Sequence, residues 1–338
     1  MTVITPVVGP ATLLPKGAEV VAGEVYYPVD LDGLVVDTIL DFHLYIQAGR
    51  GHFVLFRSPN REFTIVHRNR LLENGVRTLY VRANERSQYA KYLEQNLSAV
   101  LANPEVPERK KATLLYGVSR NVVKEAFDEP RSSAIVPRTR RLATETVEFV
   151  LRTDNAMAQL ASIMATDYYT YTHSINVCVF VVALAHQAGV DRTDVGELAV
   201  GALLHDLGKS QLPRELINKN GDLTPEEFAL IKKHVEWGED LLSRHGGISP
   251  TVMLPVALHH EKLDGSGYPR GLDGDHIHLF GRITAIADCF DAMTTNRSYQ
   301  RAMSGYEALW KMKTVLEGKF DESLLERFIR MLRAPTTQ

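Results

Sequence analysis

The chain has 338 residues, 45% apolar and 23% charged, a balance that excludes a largely disordered chain and supplies core material for about two domains. No apolar run approaches the roughly 20 residues that span a bilayer, and no basic-then-apolar export signal opens the chain, so no membrane span and a cytoplasmic location are expected. A net charge of −3 argues against nucleic acid as a partner, and Cys178 with Cys289 is too few cysteines for a disulfide framework.

In chain order, residues 1–85 read as β-rich. Phe42, Leu44 and Ile46 alternate with His43, Tyr45 and Gln47, the period-2 pattern of a half-buried strand. A second strand follows over 52–57, after Gly49-Arg50-Gly51, and short strands are expected over 63–66 and 77–82. A brief helix over 68–74 should end at Gly75. This region has no metal-ligand or nucleophile spacing and reads as a small regulatory or docking domain.

From residue 86 the pattern turns helical, with Tyr89, Leu93, Leu97 and Val100 at helix spacing. The expected organisation is a helical connector over 86–144 and an all-α domain over 145–338. Helices are predicted over 110–126, 137–165, 173–188, 225–243, 250–260, 279–295, 305–317 and 321–332, with another ending near His205. The fold class is therefore α+β: a small β-rich domain followed by a helical bundle.

Nine of the 12 histidines fall between His173 and His278. His205-Asp206-Leu207-Gly208-Lys209 closes the apolar run 198–204, where polar atoms are costly unless something compensates them. A metal ion would do so; a cap or a salt-bridge trio is the structural alternative. His259-His260-Glu261 closes a second apolar run and Asp288 a third, while His234 and His173 lie in helical segments. Together they form a set of imidazole and carboxylate donors without thiolate, suited to Fe, Mn or Zn.

With the run from His259 through Gly265-Ser266-Gly267-Tyr268-Pro269, and Asp288 followed by 291–297, this set resembles the HD superfamily of metal-dependent phosphohydrolases, specifically its HD-GYP subgroup. The resemblance covers about residues 145–330 and implies an HD-type helical bundle that hydrolyses cyclic di-GMP to pGpG and, as in some members, onward to GMP. It implies one ion held by His173, His205, Asp206 and Asp288. A second would be held by Asp206, His234, His259 and His260, with Asp206 bridging.

Fe or Mn is expected first, with Zn and Ni as further candidates. Two such cations ~3.5–4 Å apart can hold a bridging hydroxide for in-line attack on a phosphodiester. Asp206 and Lys209 are then the catalytic residues, with Lys209, Tyr268 and Arg297 toward the substrate. Lys209 either binds a nonbridging phosphate oxygen or helps the leaving 3′-oxygen accept a proton. Tyr169 stands where three-metal members carry glutamate, and Asp167 would face elsewhere, so two metals are expected. Gln300 stands where some members carry lysine, which bears on substrate affinity.

Implied partners are cyclic di-GMP, a second copy of the chain, and a protein reached through the 265–269 loop or the N-terminal domain. The alternatives are a weakly active cyclic di-GMP sensor and an HD hydrolase of another cyclic dinucleotide.

Overall fold

A computed structural model describes residues 17–152, 154–164, 170–219, 221–296 and 301–333. The described chain forms two compact units, one reaching Val106 and one beginning at Pro107.

The first unit contains β1 (Glu19–Val21), β2 (Glu24–Asp30), β3 (Thr38–Leu40), β4 (Leu44–Gly49), β5 (His52–Arg57), β6 (Arg61–Phe63), α1 (Ile65–Glu73), β7 (Thr78–Arg82), α2 (Arg86–Gln95) and α3 (Leu97–Ala102). Five strands form an antiparallel sheet in the order β1-β2-β7-β4-β5, and β3 pairs with β6. Leu40, Phe42, Leu44, Phe63, Leu79 and Val81 are buried together beneath it. Residues 65–66, expected in a strand, instead open α1. The Thr64 side chain and the His67 ring cap that helix reciprocally, and this end chemistry outweighs the β preference of Ile65 and Val66.

The unit extends beyond residue 85 because α2 completes its core. Tyr92 is buried among the sheet residues, and its hydroxyl accepts a hydrogen bond from Val35 N at 2.9 Å. Residues 86–102 therefore fall within this unit.

The second unit is helical: α4 (Glu108–Asp128), α5 (Ile135–Val150), α6 (Asp154–Met164), α7 (Thr170–Gln187), α8 (Arg192–Leu204), α9 (Arg214–Ile217), α10 (Pro225–Lys232), α11 (His234–Ser243), α12 (Pro250–Leu258), α13 (Leu279–Thr294), α14 (Gly305–Thr314) and α15 (Glu322–Leu332). Helix α7 is apolar on every side and buried from Thr172 to Ala185, as a central helix must be. It packs against α8, α13, α4 and α15, while α12 lies on α8. No helix among the described residues is long and apolar enough to cross a membrane.

Two expected long helices are each divided. The 137–165 segment becomes α5 and α6; Arg152 N turns back to Phe149 O at 3.3 Å and closes α5 with a tight turn. The 225–243 segment breaks at Lys233, whose amide likewise reaches back three residues, to Leu230 O.

Candidate metal centre

The centre is built where two apolar helices end and a third passes. His205 and Asp206 follow α8, His259 and His260 follow α12, and Asp288 lies within α13. His234 opens α11 directly after the break at Lys233. The short helix Leu207–Gln211 follows Asp206 and packs on α11. Gly208 makes that approach feasible: a Cβ there would lie 1.9 Å from His234 O. Glycine in the His-Asp segment thus brings Asp206 up to His234.

Backbone carbonyls set the imidazole tautomers. Nδ1 of His205 donates to Ala202 O at 2.7 Å, and Nδ1 of His234 donates to Ile231 O at 2.6 Å. His259 Nδ1 donates to Pro255 O at 2.9 Å and Val256 O at 3.0 Å. A carbonyl only accepts, so each Nδ1 carries the hydrogen, and the neutral ring turns an Nε2 lone pair inward. These lone pairs meet Asp206: His234 Nε2 is 3.3 Å and His259 Nε2 3.8 Å from Oδ1, while His205 Nε2 is 3.5 Å from Oδ2. The donor atoms of Asp206, His234, His259 and His260 lie within 4.8 Å of one another, as do those of His173, His205 and Asp206. Asp206 is common to both groups. Asp288 stands between them, 3.0 Å from His173 Nε2 and 3.6 Å from His260 Nδ1.

A hydrogen-bond chain reaches this cluster from behind. His173 Nδ1 donates to Asp291 Oδ2 at 2.6 Å, Asn176 Nδ2 donates to Asp291 Oδ1 at 2.8 Å, and the Tyr116 hydroxyl donates to Asn176 Oδ1 at 3.1 Å. The sequence reading assigned no role to Asp291, Asn176 or Tyr116. Asp291 had a usable signal, since it lies three residues after Asp288 on the same helical side. Nothing along the chain pairs Tyr116 with residue 176.

Burial and charge divide the titrating groups. Burial, then the neighbouring His205, holds His259 well below the ordinary imidazole range. His260 is held down likewise by burial and then by His259. Burial alone would raise the Asp206 carboxyl, but Lys209 Nζ at 2.6 Å, with His205 and His234, keeps it well below the carboxylate range. His173 is the exception: burial opposes its charge, yet Asp288 and Asp291 push it up to about 9.

Two buried atoms have the character of metal donors. His205 Nε2 and Asp206 Oδ1 have no hydrogen-bond partner although both residues are fully buried. Such orphaned atoms are costly unless something else occupies their lone pairs. A divalent ion with nitrogen and oxygen preferences suits this donor set. In the metal-free chain, a proton on His173 Nε2 can satisfy Asp288; a cation would satisfy the same two atoms.

The loop after His260 is pinned from beneath. Buried Glu261 accepts hydrogen bonds from Arg270 N at 2.8 Å and Leu272 N at 3.0 Å. Gly267 crosses so closely that a Cβ would lie 2.4 Å from Lys262 N. Tyr268 is thereby stacked on the His260 ring, with centroids 4.5 Å apart. Arg297, Gln300, Tyr169 and Asp167 lie outside the described residues.

A helical bundle with a buried histidine–aspartate centre is the class that fold and site define. Residues 145–324, more than half of the chain, match the HD domain family. The chain belongs to that family, and residues 259–269 carry the HD-GYP signature.

A curated cyclic di-GMP phosphodiesterase of Pseudomonas aeruginosa is 31% identical over 274 residues, covering 77% of this chain and 66% of that protein. The 3′3′-cGAMP-specific phosphodiesterase 2 of Vibrio cholerae is 42% identical over 132 residues, covering 39% of this chain and 25% of that protein. The chain thus spans less than two thirds of the length of either relative. Among solved structures, a HDG"Y"P protein from Bdellovibrio bacteriovorus has a TM-score of 0.65 at 24% identity, covering 91% of this chain and 99% of that one. That likeness is one of fold.

Proposed function

We propose that this chain is a metal-dependent phosphodiesterase that hydrolyses the 3′–5′ bonds of cyclic di-GMP, giving pGpG and then GMP. The observation that carries the reading is the convergence of imidazole Nε2 atoms on buried Asp206, with an orphaned atom on each side of the His205–Asp206 pair. The curated relative from Pseudomonas aeruginosa supports the substrate.

Two divalent ions, Fe or Mn, would be held by His173, His205, Asp206 and Asp288, and by Asp206, His234, His259 and His260. When bound, they would supply Lewis acidity and an activated water at neutral pH. The chain's own groups do the rest. Asp206 stays ionised because Lys209 and the histidines surround it. The Lys209 ammonium, beside Asp206 and 16% exposed, offers N–H donors to a nonbridging phosphate oxygen. Arg297 is the further phosphate ligand that the subgroup resemblance assigns. Carbonyl-bound Nδ1 atoms hold three rings in one tautomer, so no reorientation is needed when the substrate arrives.

The test is turnover of cyclic di-GMP by protein loaded anaerobically with Fe(II) or with Mn(II), followed by chromatography of the products. Formation of pGpG and GMP supports the reading, and tight binding without turnover replaces it with a sensor. The cGAMP-specific relative favours one second reading, a preference for a mixed guanine–adenine cyclic dinucleotide. Assaying both substrates side by side distinguishes the two.

A further inference from the structure

Beside the centre, α10 presents an aromatic and a cation that the site has not used. Phe228 is 45% exposed on a helix whose last turn leads directly into buried His234. Its ring lies edge-on to Tyr268 with centroids 6.3 Å apart, and Tyr268 is itself stacked on His260. Lys232, one helical turn after Phe228, places Nζ 4.7 Å from the Phe228 centroid and 5.1 Å from that of Tyr268. The sequence therefore steps from Phe228 to Lys232 to His234, and the structure steps from an exposed ring through Tyr268 to His260.

Backbone caps and hydrogen bonds brace the platform on both sides. Thr224 and Glu227 cap α10 reciprocally, and Lys219 Nζ holds Glu227 at 2.5 Å. Glu261 and Gly267 hold the Tyr268 loop. A preformed aromatic face is suited to a base, because stacking loses little conformational entropy when the ring is already fixed.

We propose that Phe228 and Lys232 form the base-recognition subsite of this centre, with one guanine stacked on Phe228 and its N7/O6 edge facing the Lys232 ammonium. The inference rests on the cyclic dinucleotide reading and adds the residues that choose the base. Guanine presents two acceptors on that edge, whereas adenine presents one acceptor and one donor, so a lysine there favours guanine. Lys232 Nζ covers one face of the Phe228 ring, so the base takes the opposite, solvent-facing side and the flexible lysine head swings to its edge.

The test uses the full metal-loaded chain and compares wild type with Phe228→Leu, Phe228→Tyr and Lys232→Met. Kd for cyclic di-GMP and cyclic di-AMP is measured by rapid mixing, with turnover and metal content determined on the same samples. Phe228→Leu should weaken both ligands about tenfold, the scale of one lost base stack. Phe228→Tyr should stay within about twofold of wild type, since the stacking face is kept. Lys232→Met should lower the preference for cyclic di-GMP over cyclic di-AMP about fivefold.

Equal Kd values for wild type and Phe228→Leu would overturn the subsite. So would loss of metal in Phe228→Leu, which would make Phe228 a packing residue of the centre. Wild type that binds but does not turn over would remove the hydrolase reading, while the Kd series would still decide the subsite. A metal-loaded wild type that binds neither dinucleotide would remove the subsite itself.

Discussion

Each unit buries a charged cluster, and the two are completed differently. In the first, Arg68 is closed by the chain: Nη2 lies 2.8 Å from Asp32 Oδ1, and Nη1 donates to Leu31 O at 3.2 Å. In the second, Asp206 has one oxygen on Lys209, while the other faces imidazole nitrogens that donate nothing to it. A pair closed by protein groups is structural, and its worth lies in not being broken. A cluster that turns buried, unpartnered lone pairs of His205 and Asp206 toward one another is suited to a cation, and such a donor set marks the candidate functional unit.

Breaking the open cluster should have the largest effect. The double variant His205→Ala, Asp206→Ala should lose both bound metal and phosphodiesterase activity, read by elemental analysis and product chromatography. Breaking the closed pair should act elsewhere. Asp32→Ala leaves a buried guanidinium uncompensated and should destabilise the first unit by roughly 3–5 kcal/mol in chemical unfolding. Metal content should not change; a loss of metal on that substitution would contradict the division of roles.

A smaller effect is expected behind the centre. Asp291→Asn keeps the volume but removes the carboxylate that orients His173, and should weaken metal affinity about 10–100-fold. Titration of the metal-free protein checks this directly. Smallest of all should be removal of the first unit: a fragment beginning at Pro107 should bind metal and turn over substrate at a rate comparable to the full chain. A folded, metal-loaded fragment without activity would instead assign the first unit a part in the chemistry.

Legibility followed how far apart the cooperating residues lie. His205, Asp206, His259 and His260 were readable because polar pairs closing apolar runs have a visible cost. The strands from 44 to 57 were readable by alternation. In contrast, β2 contains Pro28 and lacks clean alternation, and its strand emerges only through pairing with β1 and β7. The break at Lys233 leaves no periodicity signal, yet it lets His234 Nδ1 reach Ile231 O. Phe228 occupies an ordinary apolar helix position, and only its exposure and its approach to Tyr268 set it apart.

The central claim is that Asp206 joins two ions in one phosphodiesterase centre. Its most direct measurement is the metal count per chain by anomalous diffraction, on protein whose cyclic di-GMP turnover has been measured in the same preparation. Two ions sharing Asp206, in active protein, is the expected result. An active protein with no metal at Asp206, or with three fully occupied ions, would contradict it.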